Sequence, residues 1–226
     1  MYSETILLFS PIWWKYFSAF MLVISTVLYL TLWLDEKINK IIAKILGFFL
    51  IVDTFFLPYY IYLEGYWTIS YSLPLQFCNI MGLIAGIALL TKNQKLYEIS
   101  LFMGIAAPFQ AILTPGFAHG AHGFYLYEFY LSHGTTIFAP IFLTLILNLR
   151  PRKKSWWQSL ITFSSLLPFV YLFNYLVGGN YMFLMAPPPV SNPLIIGAWP
   201  WYLLLWVGYF VVFSFLTSKV IKPTKD

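Results

Sequence analysis

The chain has 226 residues, of which 60% are hydrophobic, 21% aromatic and only 9% charged. A soluble domain carries about 25% charged residues to keep its surface wet, so this composition excludes a soluble enzyme or binding module and predicts an integral membrane protein. The net charge of +5 does not point to nucleic acid, because no basic stripe is interleaved with polar recognition residues and the cations sit in short loops between apolar runs.

The amino-terminal run carries Glu4 as its only charge before the first apolar stretch. It lacks a positive n-region, and a cleaved signal peptide is not expected. A spanning helix needs roughly 20 mostly apolar residues. The sequence supplies seven such runs, near Ile12–Leu34, Ile41–Leu63, Leu73–Leu90, Tyr97–Leu113, Tyr125–Leu149, Trp156–Val177 and Trp199–Val220. The fold class expected is therefore all-α, a polytopic bundle of seven transmembrane helices forming a single domain over residues 1–226, with no internal repeat.

The loops then sort by charge. Lys37, Lys40 and Lys44 follow the first run, Lys92 and Lys95 the third, and Arg150, Arg152, Lys153 and Lys154 the fifth, while Lys219, Lys222 and Lys225 lie at the end of the chain. The loops after runs two, four and six contain no Lys or Arg, and only Lys15 falls on their side. Positive charge marks the cytoplasmic side, which puts the N-terminus outside and the C-terminus in the cytoplasm. The outer loops are richer in irregular sequence: Gly65–Trp67, Thr114–Gly123, and Gly178 through the Pro187–Pro193 stretch to Tyr202. Function tends to sit in irregular segments held by a rigid scaffold.

Ionisable groups inside spans are costly and therefore informative. They are Asp53, Cys78, Glu128 and His133, with Glu98 near an inner helix end. Cys78 is the single cysteine, so no internal disulfide exists. Pro74 is read as opening the third helix, with Cys78 one turn in and Gly82 and Gly86 on the same face at intervals of four. Small residues at that spacing admit a neighbouring helix closely, so Cys78 is expected to face the bundle. There it is either a small buried hydrophobe or a nucleophile that needs a base to form its thiolate.

His133 is the candidate base. Counted from the expected helix starts at 1.5 Å per residue, Cys78 lies about 7 Å and His133 about 12 Å below the outer face, within a turn of one another. Glu128 and Asp53 are candidates to orient the histidine, against the simpler reading of helix-bridging hydrogen bonds. Asn79, Gln110, Ser132, Thr136, Asn174 and Asn180 are further polar groups to follow. His119 and His122 have a metal-like spacing. A zinc site wants three or four ligands, and no acid or second cysteine lies near them, so a flexible solvated loop is expected, with no metal. No Gly-rich phosphate motif is present and no cofactor is expected.

Several segments in order, Leu73-Pro-Leu-Gln-Phe-Cys78, Gly104 with Gln110-Ala-Ile-Leu-Thr-Pro115, Phe129-Tyr-Leu-Ser-His133, Asn180-Tyr-Met-Phe-Leu184 and Gly197-Ala-Trp-Pro-Trp-Tyr202, carry a resemblance. From about Leu73 to Tyr202 the chain resembles the YwaF-like bacterial integral membrane family, whose animal relatives are the TMEM164 proteins. The resemblance implies a lipid acyltransferase that moves a fatty acyl chain between phospholipids, with a cysteine and a histidine as its essential pair; the matching positions are Cys78 and His133. It also implies membrane lipids as partners, a phospholipid as acyl donor and a lysolipid as acceptor, in the bacterial cell (inner) membrane. Two departures stand out: Ala186-Pro-Pro-Pro189 where a lysine-proline is common, and Asn79 where an aspartate is frequent.

The expected mechanism is thioester formation on Cys78 with His133 as general base. Asn79, Gln110, Asn180, Tyr181 and Trp199 are the candidates for oxyanion stabilisation or substrate contact. The rival readings are a lipid-ester hydrolase and a non-enzymatic carrier or binder of a small hydrophobic ligand.

Overall fold

A computed structural model describes residues 4–190 and 192–223. The chain is mostly helical: α1 (Pro11–Thr31), α2 (Glu36–Leu63), α3 (Phe77–Thr91), α4 (Gln94–Phe102), α5 (Ala106–Leu113), α6 (Gly123–Leu145), α7 (Ser155–Ser164), α8 (Leu167–Val177) and α9 (Trp201–Val220). Two short strands, β1 (Glu4–Thr5) and β2 (Gly116–Phe117), and a 3₁₀ turn at Tyr181–Phe183 complete the described elements.

Five segments are long and apolar enough to cross a membrane: α1, α2, α4 with α5, α7 with α8, and α9. The third expected run is shorter, since α3 has 15 residues. The fifth, α6, has 23 residues but carries Glu128, Ser132 and His133 in its first half. Two of the expected continuous helices are broken. Pro108 has no N–H to return to the Gly104 carbonyl, and a Cβ on Gly104 would lie 2.6 Å from the Ser100 carbonyl oxygen, so the chain turns between α4 and α5. Pro168 likewise withholds a hydrogen bond from Ser164, and the chain kinks between α7 and α8.

The start of α3 also corrects the sequence reading. Pro74 does not open the helix; residues 73–76 run irregularly ahead of it, and Gln76 is the N-cap. The reason is tertiary. The Tyr181 hydroxyl donates to the Ile69 carbonyl (2.7 Å) and accepts from the Leu73 N–H (2.9 Å). The Gln76 side-chain oxygen is taken by the Met182 N–H at 2.9 Å instead of capping its own helix. Asn174 fixes the other side of this clamp, accepting from Tyr181 N–H at 2.8 Å and donating to its carbonyl at 2.9 Å. The segment before α3 is thus held by the turn after α8.

Short as it is, α3 is the hub. It packs on α2, α4, α5 and α6, and Met81, Ala85 and Ala88 are fully buried. The expected small-residue seam is present. A Cβ on Gly86 would meet the Gly47 carbonyl oxygen at 2.9 Å, and one on Gly47 would meet that of Gly86 at 2.8 Å. Backbone therefore crosses backbone, the close approach that stabilises helix pairs where no hydrophobic force acts between them. Gly86→Ala should part α2 and α3 and destabilise the fold by about 1–3 kcal/mol, read as a lowered midpoint in an unfolding titration in detergent. An unchanged midpoint would show that the crossing has slack.

The two ends of the bundle are tied differently. At one end β1 pairs antiparallel with β2, Glu4 opposite Phe117 and Thr5 opposite Gly116, and the Ala121 N–H donates to the Glu4 carboxylate at 2.6 Å. Trp13, fully buried, donates from its indole to the Leu113 carbonyl at 2.9 Å. At the other end Glu98 is buried and receives a fork of bonds from Arg152: Nε at 3.0 and 3.1 Å and Nη2 at 2.6 Å. The Arg152 backbone N–H (2.7 Å) and the Gln94 amide (2.9 Å) complete its shell. Glu98 therefore staples α4 to the loop before α7.

Candidate functional site

Cys78 is the second residue of α3. The first amides of any helix lack an intrahelical acceptor. With Gln76 turned away to Met182, the N–H groups of Cys78 and Asn79 keep no protein acceptor among the described hydrogen bonds. The thiol and two uncommitted amides therefore stand together at the positive end of a helix dipole, where negative charge is favoured.

This helix start faces a cavity of about 430 Å³, within the range of natural small-molecule sites. His133 lines the same cavity, as do Asp53, Asn79, Gln110 and Glu128. Cys78 and His133 are each half-buried. The His133 ring lies over Phe129, centroids 4.3 Å apart, and its Nδ1 donates to the Phe129 carbonyl at 2.7 Å, with the Ser132 hydroxyl 3.3 Å away. A carbonyl can only accept, so Nδ1 carries the proton in the neutral ring, and Nε2 holds the lone pair. The tautomer of the neutral ring is set by the main chain of its own helix.

The helix starts do not serve as depth marks. Cys78 is in the first turn of α3, and His133 is ten residues into α6, about 15 Å along its axis; they nevertheless share the cavity. Neither Glu128 nor Asp53, the candidates to orient the histidine, is bonded to His133 among the described contacts; Nδ1 is taken by the Phe129 carbonyl. Both carboxyls line the cavity wall, beside Thr54, Ser132 and Thr136. Thr136 returns its hydroxyl to the Ser132 carbonyl at 2.8 Å.

The remaining candidates separate. Gln110, on α5, and Asn79 line the cavity. Asn180, Tyr181 and Trp199 do not: Asn180 accepts from the Met185 and Ala186 amides and shapes its own loop, and Tyr181 is the buried clamp of the α3 start. Trp199 is 47% exposed and donates to the Leu184 carbonyl at 2.8 Å. His119 is not in a flexible, solvated segment. It is stacked between Tyr66 and Tyr125 (5.3 and 4.9 Å) and reaches the cavity, where burial holds its pKa below the ordinary histidine value. His122 is exposed at the start of α6. Among the described residues no three His, Cys, Asp or Glu side chains are grouped to hold a metal ion.

The cavity has two chemistries. One wall, from α2, α6 and the α3 start, brings Asp53, Thr54, Asn79, Glu128, Ser132 and Thr136; the other, from α7, α8 and α9, brings Leu160, Phe163, Leu167, Leu203, Val207 and Phe210. Phe77, next to Cys78, belongs to the second wall, stacked 4.9 Å from Phe210 and tilted against Phe163 at 4.3 Å. Sequence reasoning missed this apolar wall, because its residues have the same composition as helix faces turned to lipid. The uncommitted amides of Cys78 and Asn79 were not legible, because the sequence reading placed the helix start at Pro74 and not at Phe77.

Compared with known proteins, the chain is matched over residues 8–218 by the model of the TMEM164 family. No curated protein and no solved structure matches it.

Proposed function

Because the chain belongs to the TMEM164 family, we propose that it is an integral membrane acyltransferase of the YwaF-like branch that carries a fatty acyl group on Cys78 between phospholipids. The observation that carries the reading is that Cys78 and His133 line one cavity, together with both polar and apolar side chains, a lining suited to an ester of a long-chain acid. The same reading takes the chain as a seven-span protein of the bacterial inner membrane with its N-terminus outside. The alternating loop charge supports it.

In this mechanism Nε2 of His133 takes the thiol proton, and the Cys78 sulfur attacks the ester carbonyl of a phospholipid acyl chain. The tetrahedral oxyanion is received by the amides of Cys78 and Asn79, with the Gln110 side chain as a further donor from α5; such donors are worth about 3–4 kcal/mol each in acyl-transfer enzymes. The intermediate collapses, the carbon–oxygen bond breaks, and His133 returns the proton to the departing lysolipid alkoxide. A thioester remains on Cys78. A lysolipid hydroxyl, deprotonated by the same Nε2, attacks that thioester and regenerates the thiol. Water in place of the hydroxyl would make the enzyme a hydrolase.

The test is the intermediate itself. Protein in phosphatidylcholine vesicles, quenched in acid and weighed intact, should carry one acyl mass on Cys78 that hydroxylamine removes, and Cys78→Ala should carry none. Steady turnover with no such mass at any quench time would rule out the thioester route.

A further inference from the structure

The apolar wall of the cavity does not close on itself. The kink at residues 165–166 lets α7 pack against α9 while α8 packs on α7 and the Tyr181 turn and makes little contact with α9. Two residues that line the cavity are also exposed here: Ser164, at the kink, and Val207 of α9, which is 55% exposed. Val207 lies six residues, about 9 Å, into α9, and Ser164 is the last residue of α7, at the kink in the middle of the α7–α8 segment. The opening is therefore well inside the segments long enough to cross a membrane, flanked by exposed Leu204, Val211 and Phe169. Hydrocarbon is the only solvent at that depth.

We propose that the gap between α8 and α9 is a lateral port through which one hydrocarbon chain of a bilayer lipid enters, passing Leu167 and Phe163 to reach Cys78. It deepens the acyl-transfer reading by assigning the chain-binding arm and its entrance, but the entrance exists whether or not Cys78 is catalytic. The occupant follows from the position of the mouth. A soluble ligand would enter from the looped end of the cavity, at Gly116, Ala118 and His119, whereas the mouth at Val207 meets only acyl chains. The side chains named along this path, Leu167, Phe163, Val207 and Phe210, are apolar; Ser164, the Trp206 indole and the Tyr209 hydroxyl, which donates to the Ala106 carbonyl, are the polar groups near it, and none of them is charged.

Cys78, the one cysteine of the chain, makes a clean reporter. The full chain in phosphatidylcholine vesicles is labelled with N-hexadecylmaleimide carried in the bilayer and, separately, with water-borne N-ethylmaleimide. The variant Ser164→Trp/Val207→Trp places bulk on two exposed positions and leaves the core intact. Hexadecyl labelling should slow at least tenfold in that variant, while N-ethylmaleimide labelling stays within twofold of the parent. Equal hexadecyl rates, a parallel fall in both reagents, or no hexadecyl labelling of the parent would each overturn the port. Failure of the acyl-adduct experiment, with this pattern intact, would instead remove the catalytic reading and leave the port standing.

Discussion

Cys78→Ala should reduce transfer of a labelled acyl chain between phospholipids to background, and His133→Ala should slow it by about a hundred- to ten-thousandfold, the usual contribution of a positioned general base. The first expectation follows from the absence of any second cysteine. The second follows from the geometry at His133: Nδ1 is committed to the Phe129 carbonyl, so Nε2 is the only ring atom able to take the thiol proton. His133→Gln keeps a similar volume and one hydrogen-bonding end but accepts no proton at neutral pH, and it should be as slow as the alanine variant. Asp53→Asn and Glu128→Gln make the contrast. Neither carboxyl is bonded to the histidine, so each should cost less than tenfold. The measurement is steady turnover of a chain-labelled phospholipid with lysolipid acceptor in vesicles, with unfolding midpoints confirming intact protein. Wild-type rates in either Cys78→Ala or His133→Ala would end the mechanism, and a collapse in Glu128→Gln equal to that of His133→Ala would require a different orienting group.

The largest stability effect is expected at the opposite end of the bundle. The Glu98 carboxylate is 3% exposed and its partner Arg152 is 48% exposed. Arg152→Ala leaves the carboxylate buried with the Gln94 amide and one backbone N–H among its described partners, and removing one partner of such a pair costs about 3 kcal/mol or more. Glu98→Gln should cost less, about 1–2 kcal/mol, because the stranded guanidinium can turn into water and the substituted amide's oxygen still accepts the Arg152 N–H. The order of the two variants in a reversible detergent unfolding titration decides the matter. Equal losses would mean that the pair is screened and weak, as exposed pairs are.

Much of this was legible in the sequence because hydropathy and small-residue spacing act locally. The limits of α1, α2 and α9 fall within a few residues of the apolar runs, and the Gly82–Gly86 seam sits on α2 and on Thr136 of α6, as its spacing of four implied. Cys78 and His133 were expected to tilt toward one shared cavity, and both line the cavity described above. What stayed hidden depends on partners distant in sequence. Pro74 is equally at home at the first helical position or just before a helix, and the choice was made by Tyr181, more than a hundred residues away. Asn180 and Tyr181 read as substrate contacts because polar groups in an outer loop suggest function; they are the pins of that loop. His119 could not be told from a solvated histidine until Tyr66 and Tyr125 closed on it. A cavity wall of Leu, Phe and Val cannot be distinguished by composition from a surface turned to lipid.

The bond from His133 Nδ1 to the Phe129 carbonyl has a consequence for heredity. In triad enzymes the group that orients the histidine is a side chain, which one nucleotide change can delete. The group that holds the His133 ring is a peptide oxygen, present whatever residue occupies position 129. Replacing Asp53 or Glu128 would therefore leave the ring in register, because neither carboxyl holds it. What selection must guard instead is the helix itself, through the turn from Phe129 to His133.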